Sequence, residues 1–413
     1  MATAYVGATL FDGTSRASIR DACLVVDEGK IAAILPSGSG VDDAQRVDAS
    51  GLTVIPGLID CHIHLAMWGL NPMAHQDSSM ALLACETVAN LSYVLDRGVT
   101  YARDLGGLAA GFRDGVERGL VRGPRLKTSV AYLSPTAGMM DKTTPQGFRC
   151  EGFPGTPDPV CDGPDEVRRK VREVARSGAD LIKVGTTGGV SSCRCHPWQQ
   201  TFSRPELEAA IDEAHRLGLA VACHALAGPG VRVAVEAGVD TLEHGAELDE
   251  DCVTMMVARG TWYVPTLAAY RLAGERGKSF LRSGAKALEA PHRKSMQLAL
   301  ARGVKIAMGS DAGPFGLDSA LEIDMLVEAG MSRQQALVAA TGDAAKCVGV
   351  DDRVGTLEVG KDADLVFVIG DPLSETGLLR NPECIALVTQ RGNPVAGVRR
   401  SMSPPQVRIQ SST

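Results

Sequence analysis

The first residues of the chain alternate apolar and polar positions in short runs separated by turn sequences. Ala4–Leu10 and Ala22–Val26 are two such runs, and Asp12-Gly13 and Glu28-Gly29 lie at breaks. This pattern is typical of short strands joined by tight turns. Residues 351–413 return to β character, for example at 365–369, before a polar tail from about Ser401. The pattern predicts that residues 1–57 and 351–413 form one small β-sandwich.

Residues 58–350 repeat the order strand, loop, helix. Five predicted helices are each followed directly by a Gly just before the next strand, and this position of Gly is typical of a helix C-cap. The eight apolar runs end near His64, Asp104, Leu133, Gly185, His224, His244, Thr266 and Asp311. Eight such alternations predict an α/β fold, a (β/α)8 TIM-type barrel flanked by the sandwich. An open doubly wound sheet is the alternative, but it would not gather residues of the first and last strands around one centre.

Composition narrows the class of protein. The 413 residues are 45% hydrophobic and 22% charged, as in ordinary soluble globular proteins. A net charge of −7 without a basic run argues against nucleic-acid binding. We find no signal peptide and no run near the roughly 18–20 apolar residues needed to span a bilayer. The 11 scattered cysteines suit reduced thiols, and a cytoplasmic location is therefore expected.

A His-x-His pair stands at the end of the first barrel strand, after the apolar run from Val54. Side chains alternate faces along a strand, so His62 and His64 point to the same side. Two imidazoles on one face can hold one divalent metal. By itself such a pair is weak evidence, because most His-x-His pairs are incidental.

Four further polar residues end similar apolar runs: Lys183, His224, His244 and Asp311. Taken singly, each has an ordinary explanation as a hydrogen-bonded core histidine, a lysine that reaches the surface or a helix N-cap. Together they all stand at the carboxyl ends of predicted barrel strands, where barrel active sites form. The combination favours a metal site.

These motifs together resemble the amidohydrolase superfamily over essentially the whole chain. The matching segments are Pro56–His64, Gly98–Thr100, Ile182-Lys183, Cys223–Ala225, Glu243–Gly245, Gly309–Gly313 and Gly360–Val366. Within the superfamily the chain is most similar to the imidazolonepropionase-related branch, which includes prolidase-like and ochratoxinase-like binuclear hydrolases. Val160–Arg169 and Thr186–Val190 carry that closer similarity.

The resemblance implies two divalent ions held by His62, His64, Lys183, His224, His244 and Asp311. Lys183 would bridge both ions as a carbamate formed with CO₂. Zinc fits such ligands best, and manganese, cobalt or iron could occupy the same site. A bridging hydroxide would attack the substrate carbonyl, and Asp311 would carry its proton to the departing nitrogen. The expected activity is hydrolysis of a C–N bond in a small molecule such as a dipeptide or N-acyl amino acid.

Other activities of the superfamily stay open. A cyclic amide, a lactone or another ester is the next substrate class. Deaminases place a catalytic Glu three residues after the fifth-strand histidine, whereas Ala225, Leu226 and Ala227 follow His224 here. A non-enzymatic scaffold is disfavoured because all six ligand positions are intact. Assembly into a homo-oligomer stays open as well.

Four residues are predicted to contact substrate. Met139 and Leu226 stand where prolidase-like relatives carry polar residues, which predicts a bulkier or less charged substrate and poor Xaa-Pro dipeptidase activity. Arg194 could pair with a substrate carboxylate, and Tyr270 follows the seventh strand. Either could equally be a solvated loop residue. A third metal at Cys193, Cys195 and His196 is a weaker hypothesis than thiols in a covering loop.

Overall fold

The computed structural model describes residues 1–41, 43–67, 78–148, 155–192, 195–277, 279–314 and 316–397. Arg194, Cys193 and the predicted tail from Ser401 lie outside this part. The strands are β1 (Thr3–Leu10), β2 (Ile19–Asp27), β3 (Lys30–Pro36), β4 (Gln45–Asp48), β5 (Leu52–Pro56), β6 (Leu58–Ile63), β7 (Val99–Asp104), β8 (Arg125–Thr128), β9 (Tyr132–Leu133), β10 (Leu181–Gly185), β11 (Ala220–Ala225), β12 (Thr241–His244), β13 (Trp262–Val264), β14 (Leu365–Ile369), β15 (Ile385–Gln390) and β16 (Asn393–Ala396).

Most of the helices follow a strand in the repeated order strand, loop, helix. They are α1 (Met80–Asp96), α2 (Ala110–Glu117), α3 (Pro164–Arg176), α4 (Arg204–Arg216), α5 (Pro229–Ala237), α6 (Glu250–Arg259), α7 (Leu267–Arg276), α8 (Ser279–Arg302), α9 (Ala320–Glu328), α10 (Arg333–Ala339) and α11 (Gly342–Val348), with 3₁₀ turns at Leu378–Arg380 and Pro382–Cys384.

One compact unit comprises Met1–Leu58, Leu95–Thr100 and Arg333–Thr413, of which residues up to 397 are described. Its strands form one eight-stranded sheet in the order β16-β15-β14-β5-β1-β2-β3, with β4 paired to β1. Strand β14 pairs antiparallel with β5, so that Phe367 lies opposite Val54. Both side chains are buried in the apolar core of this sheet together with Leu24. Strands from both ends of the chain therefore share one sheet. Its folding into a two-layer sandwich, and the predicted domain boundaries, stay predictions.

The other unit comprises Ile59–Val94 and Tyr101–Ser332. Strands β9 to β13 form a sheet in the order β13-β12-β11-β10-β9, in which neighbouring strands are parallel. Strands β6, β7 and β8 form a second group in that order, with β7 and β8 parallel. Strand β10 is buried along its whole length, which explains its unbroken apolar run. The structure thus confirms an α/β fold with parallel sheets.

The segment 305–312 lies beside both groups of strands. On one side Tyr263 donates its backbone N–H to the carbonyl of Lys305 at 2.8 Å. On the other side Cys61 donates to Met308 at 2.9 Å, and His64 donates to Ala312 at 2.8 Å. This segment forms isolated bridges rather than the regular eighth strand that the sequence predicts.

The sequence pattern also predicts helices over 285–302 and 332–347, and the structure differs from both predictions. Helix α8 begins at Ser279, six residues before the predicted start, and it contains Pro291. The single helix predicted over 332–347 is two helices, α10 and α11. Thr341, between them, has φ −135° and ψ −92°, which is far from helical geometry.

Candidate metal centre

The His-x-His pair of β6 lies against Asp311. Oδ1 of Asp311 is 3.5 Å from Nε2 of His62 and 3.3 Å from Nε2 of His64. Both imidazoles are almost fully buried, whereas the Asp311 side chain is 17% exposed. Asp311 also donates its backbone N–H to the carbonyl of His62 at 2.7 Å. Among the described residues, these three form the one group of three His, Cys, Asp or Glu ligand atoms close enough to hold a metal ion.

The two other predicted histidines lie beside this group. The ring centroids of His224 and His244 are 4.5 Å apart, and those of His62 and His244 are 5.0 Å apart. The parallel register places Ala225 of β11 opposite His244 of β12, and the left-handed backbone of His244, with a φ of 73°, departs from regular strand alternation at the end of β12. The parallel strands therefore bring their polar carboxyl ends together, as predicted from the sequence.

Each of the four histidines has one ring nitrogen engaged by the protein. Nδ1 of His64 donates to the carbonyl of Gly106 at 3.1 Å, and Nε2 of His224 donates to the carbonyl of Gly188 at 3.1 Å. Nδ1 of His62 lies 2.8 Å from a carboxylate oxygen of Glu243, and Nδ1 of His244 lies 2.7 Å from a hydroxyl. Such contacts set the tautomer of a metal-binding histidine and leave its second nitrogen for the ion.

Lys183 is fully buried, and its Nζ atom has no hydrogen-bond partner among the described residues. The ammonium group lies over the ring of Tyr132, 5.4 Å from its centroid. Burial lowers the pKa of Lys183 from 10.5 to about 8. An unpartnered buried amine is costly for a folded protein, so its presence calls for a group that would engage it.

Burial also shifts the pKa values of the histidines. It lowers the pKa of His224 to about 3, with a further contribution from the positive charge of Lys183. Burial likewise holds the pKa values of His62 and His244 well below their ordinary value. At His64 burial acts in the same direction, but the hydrogen bond and charge of Asp311 outweigh it and raise the pKa. Three of the four imidazoles are therefore neutral at pH 7, which is the form that binds metals.

A buried ionic network supports His62. Glu243 accepts a hydrogen bond from Arg103 at 2.8 Å through Oε1, and its Oε2 accepts from His62. Arg103 also donates to the carbonyl of Cys61 at 2.5 Å. No sequence motif predicted a role for Glu243 or Arg103 in the site. The Glu243-His244 motif is a local signal that Glu243 lies near the site. Strand alternation, however, places neighbouring side chains on opposite faces, so it does not predict the contact between Glu243 and His62.

A second network fixes the segment that carries Asp311. The backbone N–H groups of Ser310 and His62 donate to Oδ1 of Asp60 at 3.0 and 3.1 Å. The hydroxyl of Ser310 donates to the other oxygen of Asp60 at 2.5 Å. Asp60 is completely buried. One carboxylate therefore ties the strand of the His-x-His pair to the segment of Asp311.

Of the predicted substrate residues, Met139 and Tyr270 lie close to these histidines, whereas Arg194 lies outside the described residues. A Cβ atom at Gly189 would lie 2.8 Å from the thioether sulfur of Met139 and 3.7 Å from the His224 ring. Tyr270 is in edge contact with His244, with centroids 6.1 Å apart. Leu226 is buried in a cluster with Ala227, Ala246 and Leu288, against which Val190 and Tyr270 pack.

The hypothesis of a third metal gains no support from the described residues. Cys195 is buried and has a reduced thiol, and His196 is exposed. No group of three potential ligands in the described ranges includes either residue.

The chain belongs to the amidohydrolase family, whose model matches residues 53–398. Ochratoxinase from Aspergillus niger is 31% identical over 403 residues, which cover 91% of this chain and 82% of that protein. Imidazolonepropionase from Rhizobium rhizogenes is 24% identical over 411 residues, covering 88% and 90%. A solved prolidase complexed with N-methylphosphonate-L-proline has a TM-score of 0.89 and 31% identity, covering 96% of this chain and 100% of that chain.

These comparisons confirm the resemblance drawn from the sequence motifs, including the branch of the family. The prediction that the chain is an enzyme, an amidohydrolase, is confirmed with it. In the described part of the chain, no helix has the length and apolar character needed to cross a membrane.

Proposed function

We propose that this protein is a binuclear metal-dependent hydrolase that cleaves a carbon–nitrogen bond in a small molecule. The observation that carries the proposal is the set of four buried histidines, each with one ring nitrogen engaged, around the unpartnered amine of Lys183. His62, His64 and Asp311 would hold one ion, and His224 and His244 the other. Zinc is the best candidate, because it favours imidazole and carboxylate ligands.

We propose further that the strands close into the eight-stranded barrel typical of this family. The hydrogen bonds of the segment 305–312 to both β13 and β6 support closure on one side. On the other side, β8 and β9 are separated by only three residues, and Asp180 donates its N–H to the carbonyl of Thr128 at 2.8 Å. A closed barrel explains why first- and last-strand residues share a centre.

Lys183 is suited to become a carbamate. A pKa of about 8 leaves a fraction of the amine neutral at pH 7, and the neutral amine is the nucleophile towards CO₂. Its nitrogen forms a bond to carbon and releases one proton, giving a carboxylate that replaces the unpartnered cation with an anion. Two divalent ions at this site would polarise a substrate carbonyl and lower the pKa of a water molecule towards neutrality.

The group proposed to move a proton is Asp311. Its carboxylate is the one predicted ligand with substantial exposure, so it can face both the ligand set and a substrate. It would accept a proton from the attacking water and pass it to the departing nitrogen. The apolar cluster around Leu226 occupies the place where deaminases carry a catalytic Glu, which favours hydrolysis over deamination.

The relatives support a substrate of the dipeptide or N-acyl amino acid type. One of them is a prolidase complexed with N-methylphosphonate-L-proline. The apolar cluster and Met139 favour a bulky or weakly charged acyl group, because Met adapts to apolar shapes. A cytoplasmic location, a small-molecule partner and the absence of nucleic-acid or membrane partners belong to the same proposal.

Metal stoichiometry combined with a substrate panel tests the proposal. Protein loaded with zinc or manganese should contain about two ions per chain by elemental analysis, as expected for a two-metal site. It should release free amine from dipeptides, N-acyl amino acids or cyclic amides, and chelation should abolish that release. One ion per chain under saturating metal would contradict the bridging role of Lys183. Hydrolysis of esters alone, or release of ammonia from amino-substituted rings alone, would reject C–N hydrolysis of this class.

A further inference from the structure

Thr266, the residue whose hydroxyl contacts His244, has a strained backbone. Its φ and ψ of 55° and 42° place it in the left-handed region, although it is β-branched and fully buried. For such a residue this conformation is a genuine outlier, which persists only where the surrounding structure enforces it. His244 has a φ of 73° and is left-handed as well. Surrounding contacts must therefore hold the backbones of both Thr266 and His244 in this conformation.

Thr266 is also the N-cap residue of α7. A threonine at this position ordinarily accepts hydrogen bonds from the first N–H groups of its helix. Here its hydroxyl makes no such bond among the described residues and lies instead 2.7 Å from Nδ1 of His244. The helix therefore needs another acceptor for its first N–H groups.

Glu322 of α9 supplies that acceptor from elsewhere in the chain. Its two carboxylate oxygens accept the N–H groups of Leu267 at 2.9 Å and Ala268 at 2.6 Å. Glu322 is completely buried, and it lies 55 residues from Leu267 along the chain. Leu267 and Ala268 are the two residues that directly follow Thr266. The carboxylate thus caps the helix and fixes the backbone next to the strained residue.

We infer that Glu322 is a positioning residue for the candidate metal ligand His244, acting through the first turn of α7 and Thr266. By capping α7, Glu322 leaves the Thr266 hydroxyl for the imidazole and holds Thr266 in its left-handed conformation. The Thr266 contact then fixes the orientation of the His244 ring and directs its Nε2 towards the metal site. This inference rests on the proposed function, since it assumes that His244 binds a metal.

The test is the affinity for zinc, measured by competition with a chromophoric chelator on the full chain. Glu322→Gln keeps the shape but replaces one acceptor with an NH₂ group that faces an N–H. Removing a partner of this kind should weaken zinc binding about tenfold or more. Thr266→Val, which removes the hydroxyl and keeps the shape, should weaken binding comparably, whereas Thr266→Ser should bind as the natural chain does.

A double-mutant cycle separates positioning from general stability. If Glu322 acts through Thr266, the losses of zinc affinity in Glu322→Gln and Thr266→Val will not add in the double variant. Additive losses would overturn the inference. The matched control is Glu206→Gln, because Glu206 also accepts two backbone N–H groups, from Gly163 and Ser203, at a helix start without a contact to a ligand. Its zinc affinity should be unchanged.

Two further outcomes are distinguishable. If the natural chain binds no zinc, the proposed function fails. If the natural chain binds zinc and folded Glu322→Gln binds it equally well, only the positioning role fails. Should Glu322→Gln not fold, Glu322→Asp keeps the carboxyl group and withdraws it by one methylene group. Wild-type zinc affinity in that variant would overturn the inference, and a weaker affinity at unchanged secondary structure would support it.

Discussion

Nδ1 of His62 lies 2.8 Å from Oε2 of Glu243, and both side chains are buried. The opposite carboxylate oxygen accepts a hydrogen bond from Arg103. The negative charge between an imidazole and a guanidinium fixes the tautomer of His62 and makes its Nε2 a better ligand.

We therefore predict that Glu243→Gln weakens the affinity for zinc by about 10–100-fold, as measured by chelator competition. It should also lower the free energy of unfolding, because a buried guanidinium loses its anionic neighbour. The matched control is Glu213→Gln, since Glu213 is also buried and pairs with Arg172 at 2.7 Å without touching a predicted ligand. Equal zinc affinities for the two variants would contradict this role of Glu243.

Lys183→Met should stabilise the metal-free chain while abolishing hydrolysis. Between pH 8 and 10.5 the unfolded chain keeps a proton that the folded chain has released, so the free energy of unfolding of the wild type rises with pH across this window. Below pH 8 both states hold the proton, and the free energy of unfolding is lowered by the full cost of burying the ammonium group. At about 1.4 kcal/mol per pKa unit, the variant should gain on the order of 3 kcal/mol at pH 7.

Denaturant unfolding in chelator and CO₂-depleted buffer measures this gain, which should vanish towards pH 10.5. Lys170→Met is the control, because Lys170 is also buried but pairs with Glu173 at 2.8 Å. That variant should not gain stability. A loss of stability in Lys183→Met at pH 7 would show that the protein compensates the buried ammonium.

Asp311→Asn should keep much of the bound metal and lose turnover by several orders of magnitude. The amide retains an oxygen ligand but cannot accept the proton. The measurement is kcat with zinc content determined on the same sample, and the loss should fall on kcat rather than on KM. Near-normal kcat at full metal content would assign the proton transfer to another group.

Simple Xaa-Pro dipeptides should be poor substrates. Met139 places an apolar group near His224, and Leu226 belongs to the apolar cluster against which Tyr270 packs. Hydrogen-bonding side chains at these two positions would otherwise support a carboxylate or oxyanion. The check is a comparison of kcat/KM for Xaa-Pro dipeptides and for N-acyl amino acids with bulky acyl groups. Values above roughly 10⁴ M⁻¹s⁻¹ for the dipeptides would prove the prediction wrong. In Met139→His, the ratio should move towards the dipeptides.

Much of this protein could be derived from local sequence patterns. Side-chain alternation put His62 and His64 on one face, and the apolar runs ending in His224 and His244 located two strand ends to within one residue. Lys183, by contrast, lies in the middle of β10. These inferences succeed because strand periodicity and strand termination depend on neighbouring residues. Motif resemblance then identified the amidohydrolase family, which the comparisons confirm.

Only the tertiary structure decided how these residues are supported. The contact between His62 and Glu243 joins residues 181 apart, and that between Ser310 and Asp60 joins residues 250 apart. No local pattern specifies such partners, since they depend on strand order and register. The left-handed backbone of Thr266 and its contact with His244 could not be predicted from the sequence either. Threonine disfavours that conformation, so contacts from the surrounding structure must enforce it.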